Sequence, residues 1–207
     1  MARQYRGCSK LVYAIVTETA ESTTYGTVKE LAPVKSISRD LASESEDVWA
    51  DNQLQQKTYG GSKVTRSFDT TRIPAEIEAE LLGNTVVSVG TTGTLKAYAT
   101  DPNGNTRPYI AVGYALHDGD VDKPCEVVWA FKGKVNSITK AANTIDDGTG
   151  SEGQTIEIEF IAPRDKFTTT GKRNLDIALP IDEATTIDVD DWFAQVVTPD
   201  NIATVLN

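Results

Sequence analysis

The stretch QTIEIEFIA, residues 154–162, carries the most regular pattern in the chain and predicts the fold. Its isoleucines and its phenylalanine occupy alternate positions, and Glu157 and Glu159 lie between them. Successive side chains of a β-strand point to opposite faces of a sheet, so the apolar set faces a core and the two glutamates face elsewhere. This stretch therefore predicts an antiparallel strand with one buried face.

The same alternation recurs along most of the chain. It predicts further strands at 11–18 (LVYAIVTE), 33–38, 62–69 (SKVTRSFD), 95–100, 109–116, 125–135 (CEVVWAFKGKV) and 175–179, with a short one at 86–89. Within the strand at 62–69, we expect Val64, Arg66 and Phe68 to share one face. Repeats and low-complexity linkers are absent from the sequence, so a single domain over residues 1–207 is the better division.

One segment breaks the alternation. In IPAEIEAELLG, residues 73–83, apolar residues recur every four positions. Pro74 suits the first helical position and Gly83 suits the end of a helix. The pattern predicts a helix over residues 74–82.

Two segments differ in composition from the rest. Residues 39–61 are dominated by Ser, Glu, Asp, Gln and Asn. This segment is too long and too polar for a tight turn, so we expect an extended hairpin arm or functional loop. The C-terminal extension at 181–207 is acidic, and within it DDWFAQVV, residues 190–197, predicts a short helix or a docking strand. The interpretation of the whole chain is a mainly β fold, a β-sandwich or barrel of about eight strands with one flanking helix.

Composition and charge exclude several classes of protein. With 39% hydrophobic and 24% charged residues the chain is typical of a globular domain, and no apolar run approaches the roughly 20 residues of a membrane-spanning helix. The chain has 20 basic and 30 acidic residues, a formal net charge of -10 at neutral pH, so its average surface repels nucleic acid. Cys8 and Cys125 are far apart, which gives neither a disulfide framework nor a metal knuckle, and we expect two reduced thiols.

Catalytic chemistry finds little support. His117 is the only histidine, and it lies in a segment that predicts a polar loop. A Ser-His-Asp or Cys-His arrangement would have to use this residue, and the sequence has no Gly-x-Ser-x-Gly nucleophile elbow. We therefore predict no catalytic site.

Two loops imitate ligand-binding motifs. Residues 148–153 match Gly-x-Gly-x-x-Gly, but a strand follows them where dinucleotide binding requires a helix. Residues 118–122 resemble half of a calcium loop, yet Lys123 and Trp129 occupy the positions that need a glycine and a bidentate glutamate. Neither a cofactor nor a metal site is predicted.

The order of several segments is informative in combination. They are LVYAIVTE with the turn Tyr25-Gly26, ESEDVWADN at 44–52, IPAEIEAELLG, YIAVGY at 109–114, VVWAFKGKV at 127–135 and TIEIEFIAP at 155–163. In this order and spacing the chain resembles the major tail protein, or tail tube protein, family of long-tailed bacteriophages, especially those of Gram-positive hosts. The final 40 or so residues match less well.

The resemblance implies a structural virion protein without a cofactor. Its subunits form rings, taken to be hexameric, which stack into the tail tube through which the genome leaves the capsid. The implied partners are further copies of the chain, a tape measure protein, tail initiator and terminator proteins, and double-stranded DNA that passes through the lumen without specific binding. The implied location is the virion tail, after assembly in the host cytoplasm.

In such a tube, an acidic lumen would repel the phosphates of DNA and keep the genome from adhering. The candidate lumen-facing residues are Glu157, Glu159, Glu44, Glu46 and Asp47. Isolated apolar residues of a polar arm are best explained by a partner surface, so Val48, Trp49 and Leu54 are candidate anchors between subunits; alternatively they fold back on their own domain.

Two other classes of function remain open. A monomeric β-sandwich binding or adhesion module on a virion or cell surface would have the same fold and would expose an aromatic patch. A small hydrolase would need a concave site around His117, and His117→Ala would abolish its turnover.

Overall fold

The structure is a computed structural model that describes residues 4–20, 22–90, 95–120, 123–142, 153–182 and 187–206. Within its strands, the side chains of residues 43–46, 48, 50, 59, 61 and 62 are not described. The strands are β1 (Gly7–Glu18), β2 (Thr23–Tyr25), β3 (Lys29–Glu30), β4 (Val34–Ala50), β5 (Gln53–Thr70), β6 (Thr85–Val89), β7 (Leu95–Ala99), β8 (Tyr109–His117), β9 (Glu126–Lys140), β10 (Gln154–Phe160) and β11 (Asp176–Pro180). The helices are α1 (Ala75–Leu82), α2 (Val189–Ala194) and α3 (Ile202–Val205), with a single 3-10 turn at Gly104–Thr106.

Nine of the strands form one antiparallel sheet in the order β2-β1-β8-β9-β10-β5-β4, with β3 beside β1 and β11 beside β9. The long strand β9 changes partners along its length. Its first half lies between β8 and β11, and its second half pairs with β10. The sheet curls until Cα atoms of β1 and β4 lie within 8 Å of each other, so the fold is barrel-like. The predicted mainly β class is confirmed.

The interior of the barrel is filled by the alternating apolar residues that the sequence predicts. From β10, Ile156, Ile158 and Phe160 are buried, and from β5, Val64 and Phe68 join them. Their intervening neighbours point to the opposite face of the sheet. The predicted orientation of both strands is confirmed.

Strands β1, β8 and β9 are buried on both faces, which explains their nearly continuous apolar sequences. Their inner face contributes to the barrel core, and their outer face is covered by the C-terminal segment. There Trp192 and Phe193 of α2 pack with Val196 and Val197 against Trp129 of β9. The indole Nε1 of Trp129 donates a hydrogen bond to the main-chain oxygen of Trp192 at 3.1 Å.

Helix α1 confirms the predicted helix to within one residue, because Pro74 is its N-cap. It ends where Gly83 adopts a left-handed conformation with φ 67°. A side chain at Gly83 would also bring a Cβ atom within 2.7 Å of the main-chain oxygen of Thr106. Three lysines from three other elements form ion pairs with the glutamates of α1. These pairs are Lys96 with Glu76 at 2.9 Å, Lys140 with Glu78 at 2.7 Å and Lys29 with Glu80 at 2.7 Å.

The polar arm is a two-stranded hairpin, as predicted. Strands β4 and β5 pair along their whole length, and residues 42–63 extend beyond Val64, the first residue of β5 that pairs with β10. At about 3.3 Å per residue, this arm projects about 30 Å from the sheet. Asp51 and Asn52 form the turn with φ of 52° and 60°, the left-handed conformations of a type I′ hairpin turn.

Several details differ from the sequence prediction. The described residues contain eleven strands and three helices rather than about eight strands and one helix, because β2 and β3 are too short to show an alternation. The sequence analysis assigned no pairing to strand β7, which pairs with β6 in a separate two-stranded sheet. His117 was predicted in a polar loop, but it is the last residue of β8 and is buried, because its ring nitrogens find partners there.

Candidate functional site

The outward face of β4, β5, β10 and the second half of β9 is polar. We call this surface the polar face. Its residues alternate along the strands with those that fill the barrel core. They are Ser36, Ser38, Asp40, Lys63, Thr65, Ser67, Asp69, Lys134, Asn136, Ser137, Thr139, Thr155, Glu157 and Glu159. Hydroxyl groups predominate, and four carboxylates face two ammonium groups, which leaves the polar face with an excess of negative charge.

Cross-strand contacts order the side chains of the polar face. The Asp69 carboxylate accepts hydrogen bonds from the hydroxyls of Ser36 and Thr155, both at 2.6 Å, and these bonds lower the pKa of Asp69. Glu157 accepts a bond of 2.5 Å from the side-chain amide of Asn136. Glu159 lies 3.2 Å from the ammonium group of Lys63. The face is thus a hydrogen-bonded polar surface that spans four strands.

A second feature is the tip of the arm, where Trp49 and Leu54 lie opposite each other on the two strands. Their side chains are 64% and 46% exposed. They form an apolar knob, flanked on its inner side by the ion pair of Asp47 and Lys57 at 3.4 Å. Large apolar side chains that are exposed at neighbouring positions are typical of an interaction site.

The root of the arm is fixed by a buried cation. Arg66 of β5 has no exposed surface, and its guanidinium group lies 5.1 Å from the ring centre of Phe160 and 5.4 Å from that of Tyr114. It forms an ion pair with Asp176 of β11, and Arg39 of β4 reaches the same carboxylate at 3.2 Å. Burial lowers the pKa of Arg66, and Asp176 acts against this effect. Asp176 therefore joins both strands of the arm to β11.

The sequence analysis placed Val64, Arg66 and Phe68 on one face, which is correct. It did not identify Arg66 as a buried charge or Asp176 as its partner. The available signal was an arginine at a core position of an alternating strand, since such a residue requires a partner. The identity of that partner, 110 positions away in the sequence, depends on how β9 pairs with both β10 and β11.

The predicted site residues fall in two places. Glu157 and Glu159 lie on the polar face, whereas Asp47, Trp49 and Leu54 lie near the tip of the arm and are exposed. The structure does not bring these two groups together. The side chains of Glu44, Glu46 and Val48 lie outside the described residues.

His117 lies apart from both groups. Its Nε2 atom is 2.7 Å from the hydroxyl of Ser9, and its Nδ1 atom is 2.9 Å from the main-chain oxygen of Asp120. Together with Arg6 and Cys8, these residues help to line a cavity of about 220 Å³. The two contacts satisfy both ring nitrogens of a buried histidine.

Most of the loop that matches Gly-x-Gly-x-x-Gly lies outside the described residues, as does part of the calcium-like loop, residues 121 and 122. In the described part of the chain, no group of three or more His, Cys, Asp or Glu side chains is arranged to hold a metal ion. Of the helices described, none has the length and apolar character needed to cross a bilayer. No disulfide joins Cys8 and Cys125.

The sequence matches no protein-family model and no curated protein. Among solved structures, it is similar to a chain of the sheath-tube complex of an extracellular contractile injection system, PVC, in the extended state, with a TM-score of 0.41 and 11% identity over 84% of this chain and 90% of the other. It is also similar to the anti-feeding prophage cap, the AFP tube terminating cap, with a TM-score of 0.42 and 9% identity over 87% and 95% of the two chains. Both TM-scores lie below 0.5, so these likenesses define no family for the chain.

Proposed function

We propose that this protein is the structural subunit of a phage-type tail tube. In this proposal its copies close into rings, taken to be hexameric, and the rings stack into a tube with an acidic lumen through which DNA is ejected. The observation that carries the proposal is the arm, a hairpin that extends about 30 Å beyond the sheet, at about 3.3 Å per residue, and ends in an exposed apolar knob. An arm of this length with an exposed apolar tip can reach a neighbouring copy in a polymer.

The polar face supports the lumen assignment for Glu157 and Glu159. A channel wall for DNA has to present a continuous polar surface without a cluster of cations, because cations bind phosphates and release counterions. The polar face meets both requirements, with hydroxyl groups across four strands and carboxylates in excess. We include Glu44, Glu46 and Asp47 of the arm in the lumen proposal on sequence alone.

Free strand edges support ring formation. Strand β4 pairs only with β5, and beyond Gly133 strand β9 pairs only with β10 among the described residues. Arg107 covers part of this second edge, because its Nη1 atom donates hydrogen bonds of 2.9 and 2.7 Å to the main-chain oxygens of Val135 and Asn136. Unpaired edges are a liability in a monomer, and a ring of identical subunits can cover them.

The partners follow from the same proposal. The subunit would contact itself within and between rings, a tape measure protein inside the growing tube, and initiator and terminator proteins at its two ends. DNA would pass without specific binding. No enzymatic activity and no cofactor belong to this role, and the particle would be assembled in the host cytoplasm and carried in the virion tail.

The decisive experiment is negative-stain electron microscopy of the purified protein over a concentration series, combined with light scattering to measure particle mass. We expect rings or hollow tubes with a central channel. Charge reversal of the polar face, Glu157→Lys with Glu159→Lys, should then leave tube formation intact but cause nucleic acid to copurify with the tubes.

A protein that stays monomeric at every concentration, and also when a tail initiator complex is supplied, would contradict the proposal. The alternative would then be a monomeric binding or adhesion module that uses the exposed Trp49 to contact another surface. A channel wall without the carboxylates of Glu157 and Glu159 would contradict the lumen assignment alone.

A further inference from the structure

A groove of about 560 Å³ lies between α1 and the separate hairpin formed by β6 and β7. We call it the helix-hairpin groove. Ile77 of α1, Val86 of β6, Tyr98 of β7 and Tyr13 of β1 contribute its apolar and aromatic surface. The sequence analysis identified the helix but gave no indication of this groove.

The hairpin that forms one wall of the groove is unusual for its exposure. Each of its ten strand residues is at least partly accessible, and Val86, Val87 and Val89 of β6 are between 44% and 51% exposed. A two-stranded sheet that packs against little else is only marginally stable in water. A partner seated on the hairpin would stabilise it.

Two ion pairs frame the groove. Lys29 binds Glu80 and Lys96 binds Glu76, so the four groups together are neutral. Residues 84–100 contain one lysine and no acidic residue, in a chain whose net charge is -10. This region therefore has no excess of negative charge that would repel an acidic segment.

The arm offers such a segment. Residues 42–63, which project from the sheet, contain four carboxylates and two basic side chains, and the apolar knob of Trp49 and Leu54 lies at their tip. The groove has a volume larger than a tryptophan and a leucine side chain occupy together. A tryptophan that enters a pocket of tyrosine and aliphatic side chains is a typical binding hot spot.

We propose that the helix-hairpin groove is the receptor for the arm of a second copy, with the knob of Trp49 and Leu54 seated against Ile77, Val86 and Tyr98. This inference rests on the proposed function, since it names the surface at which one ring receives the arm of the next. Arm and groove are different surfaces, so the contact is heterologous and continues from copy to copy without closing on itself.

The small area of the proposed contact would make a single contact weak. A stable pairwise interface buries about 800 Å² on each partner, and a knob of two side chains covers much less than this. Two isolated subunits would therefore separate quickly. Six such contacts made at once between two rings would hold, because each contact raises the effective concentration for the next.

The test compares neighbouring residues of β6. Val86 lines the groove, and Val87 is similarly exposed on the opposite face of the same strand, so Val86→Asp and Val87→Asp place the same charge on the two sides of the hairpin. We expect Val86→Asp to raise the concentration at which tubes form by about tenfold or more, and Val87→Asp to change it by less than about threefold. Circular dichroism and thermal melting of the monomers check that both variants fold.

A cross-link provides a second measurement that does not require tubes. Chains with Trp49→Cys are mixed with chains that carry either Val86→Cys or Val87→Cys, under mild oxidation, and the unmodified chain reports background from Cys8 and Cys125. We expect a mixed disulfide dimer with Val86→Cys and little with Val87→Cys.

The outcomes separate the two proposals. Tubes that form normally with Val86→Asp, without selective cross-linking at position 86, would overturn the groove and leave the tube function intact. Selective cross-linking at position 86 in a protein that never forms tubes would support the groove and contradict the tube function. A protein that forms no tubes and shows no selective cross-linking at position 86 would overturn both proposals.

Discussion

Arg66 is a charged residue in the middle of the barrel core, and its position makes Asp176 more important than an exposed carboxylate would be. If Asp176→Ala removes the partner, the guanidinium stays buried with only the rings of Phe160 and Tyr114 beside it, and we expect the free energy of unfolding to fall by about 3 kcal/mol. Urea denaturation measures this change.

The double variant Arg66→Met with Asp176→Ala removes both charges, so we expect most of the lost stability to return. Arg39→Gln serves as the control, because Arg39 is about half exposed and an exposed ion pair contributes less than about 1 kcal/mol. If Asp176→Ala lowers the free energy of unfolding by no more than Arg39→Gln, below about 1 kcal/mol, the core tolerates Arg66 without its partner.

Glu18 gives a prediction for pH. Burial alone would raise its pKa, but the ammonium group of Lys132 at 2.5 Å and the main-chain N–H of Arg164 at 2.9 Å outweigh burial and lower it. The folded state therefore binds this proton less readily than the unfolded state, and the stabilisation is complete above the ordinary glutamate pKa near 4.5 and is lost as the pH falls through the folded value.

We therefore expect Glu18→Gln to be less stable than the parent at pH 7, and the difference to shrink as the pH is lowered from about 5 to about 3. Urea midpoints of the two proteins across this range make the comparison. A difference that stays constant with pH would mean that the charge of Glu18 contributes nothing and that only its shape matters.

At the scale of elements, helix α2 near the C-terminus and the arm should contribute differently to stability. Trp192 of α2 is completely buried against the sheet, and Trp49 of the arm is exposed. We expect Trp192→Ala to lower the free energy of unfolding by about 3–5 kcal/mol, and Trp49→Ala to change it by less than about 0.5 kcal/mol.

Chemical denaturation of both variants measures this difference. In Trp192→Ala, binding of a dye that recognises exposed apolar surface would report whether the outer face of the sheet has become uncovered. A large loss of stability with Trp49→Ala would indicate that the arm folds back on its own domain in solution. That result would remove the main support for the proposed function.

The same elements indicate what a sequence can predict. The alternation at 154–160 and the four-residue spacing before Gly83 depend on neighbours in the chain, and both predictions were correct in the structure. The burial of His117 depends on Ser9, which lies 108 positions away, and no local pattern reports such a contact. The groove between α1 and the β6-β7 hairpin arises from packing and was equally invisible.

The acidic C-terminal segment shows a further limit. The sequence analysis recorded only the acidic charge of this segment's aspartates, but several of them have structural roles. Asp188 caps α2 by accepting hydrogen bonds from main-chain N–H groups, and Asp190 binds Lys10 at 2.8 Å. Asp200 accepts two further main-chain bonds, from Thr168 and Thr169, which lower its pKa. Composition reports charge, whereas these roles depend on which donors lie within reach.

At the scale of the whole molecule, the net charge of -10 governs association between copies. Subunits of equal charge repel each other, and dissolved salt screens this repulsion over about 10 Å at 0.1 M ionic strength. We expect the concentration needed for self-association to fall as the salt concentration rises from about 20 mM to about 0.5 M. Light scattering at fixed pH measures it.

A matched measurement with Glu157→Gln and Glu159→Gln identifies where the repulsion arises. If the polar face lines a narrow channel, its carboxylates are brought close together in a ring, and their neutralisation should reduce the salt dependence. Salt that weakens association instead would indicate that ion pairs between copies dominate, which is the opposite of what the charge balance predicts.

The three tryptophans divide into two that are buried in the outer layer, Trp129 and Trp192, and one at the tip of the arm, Trp49. The protein therefore has two kinds of intrinsic fluorescent reporter, one exposed and one buried. A dissolved quencher such as iodide would reach the indole of Trp49 but not the indoles of Trp129 and Trp192. Protection of the Trp49 emission from the quencher would therefore report docking of the arm in real time. A shift of the remaining emission to longer wavelength would report unfolding, and the two events would be distinguished in one cuvette without a label.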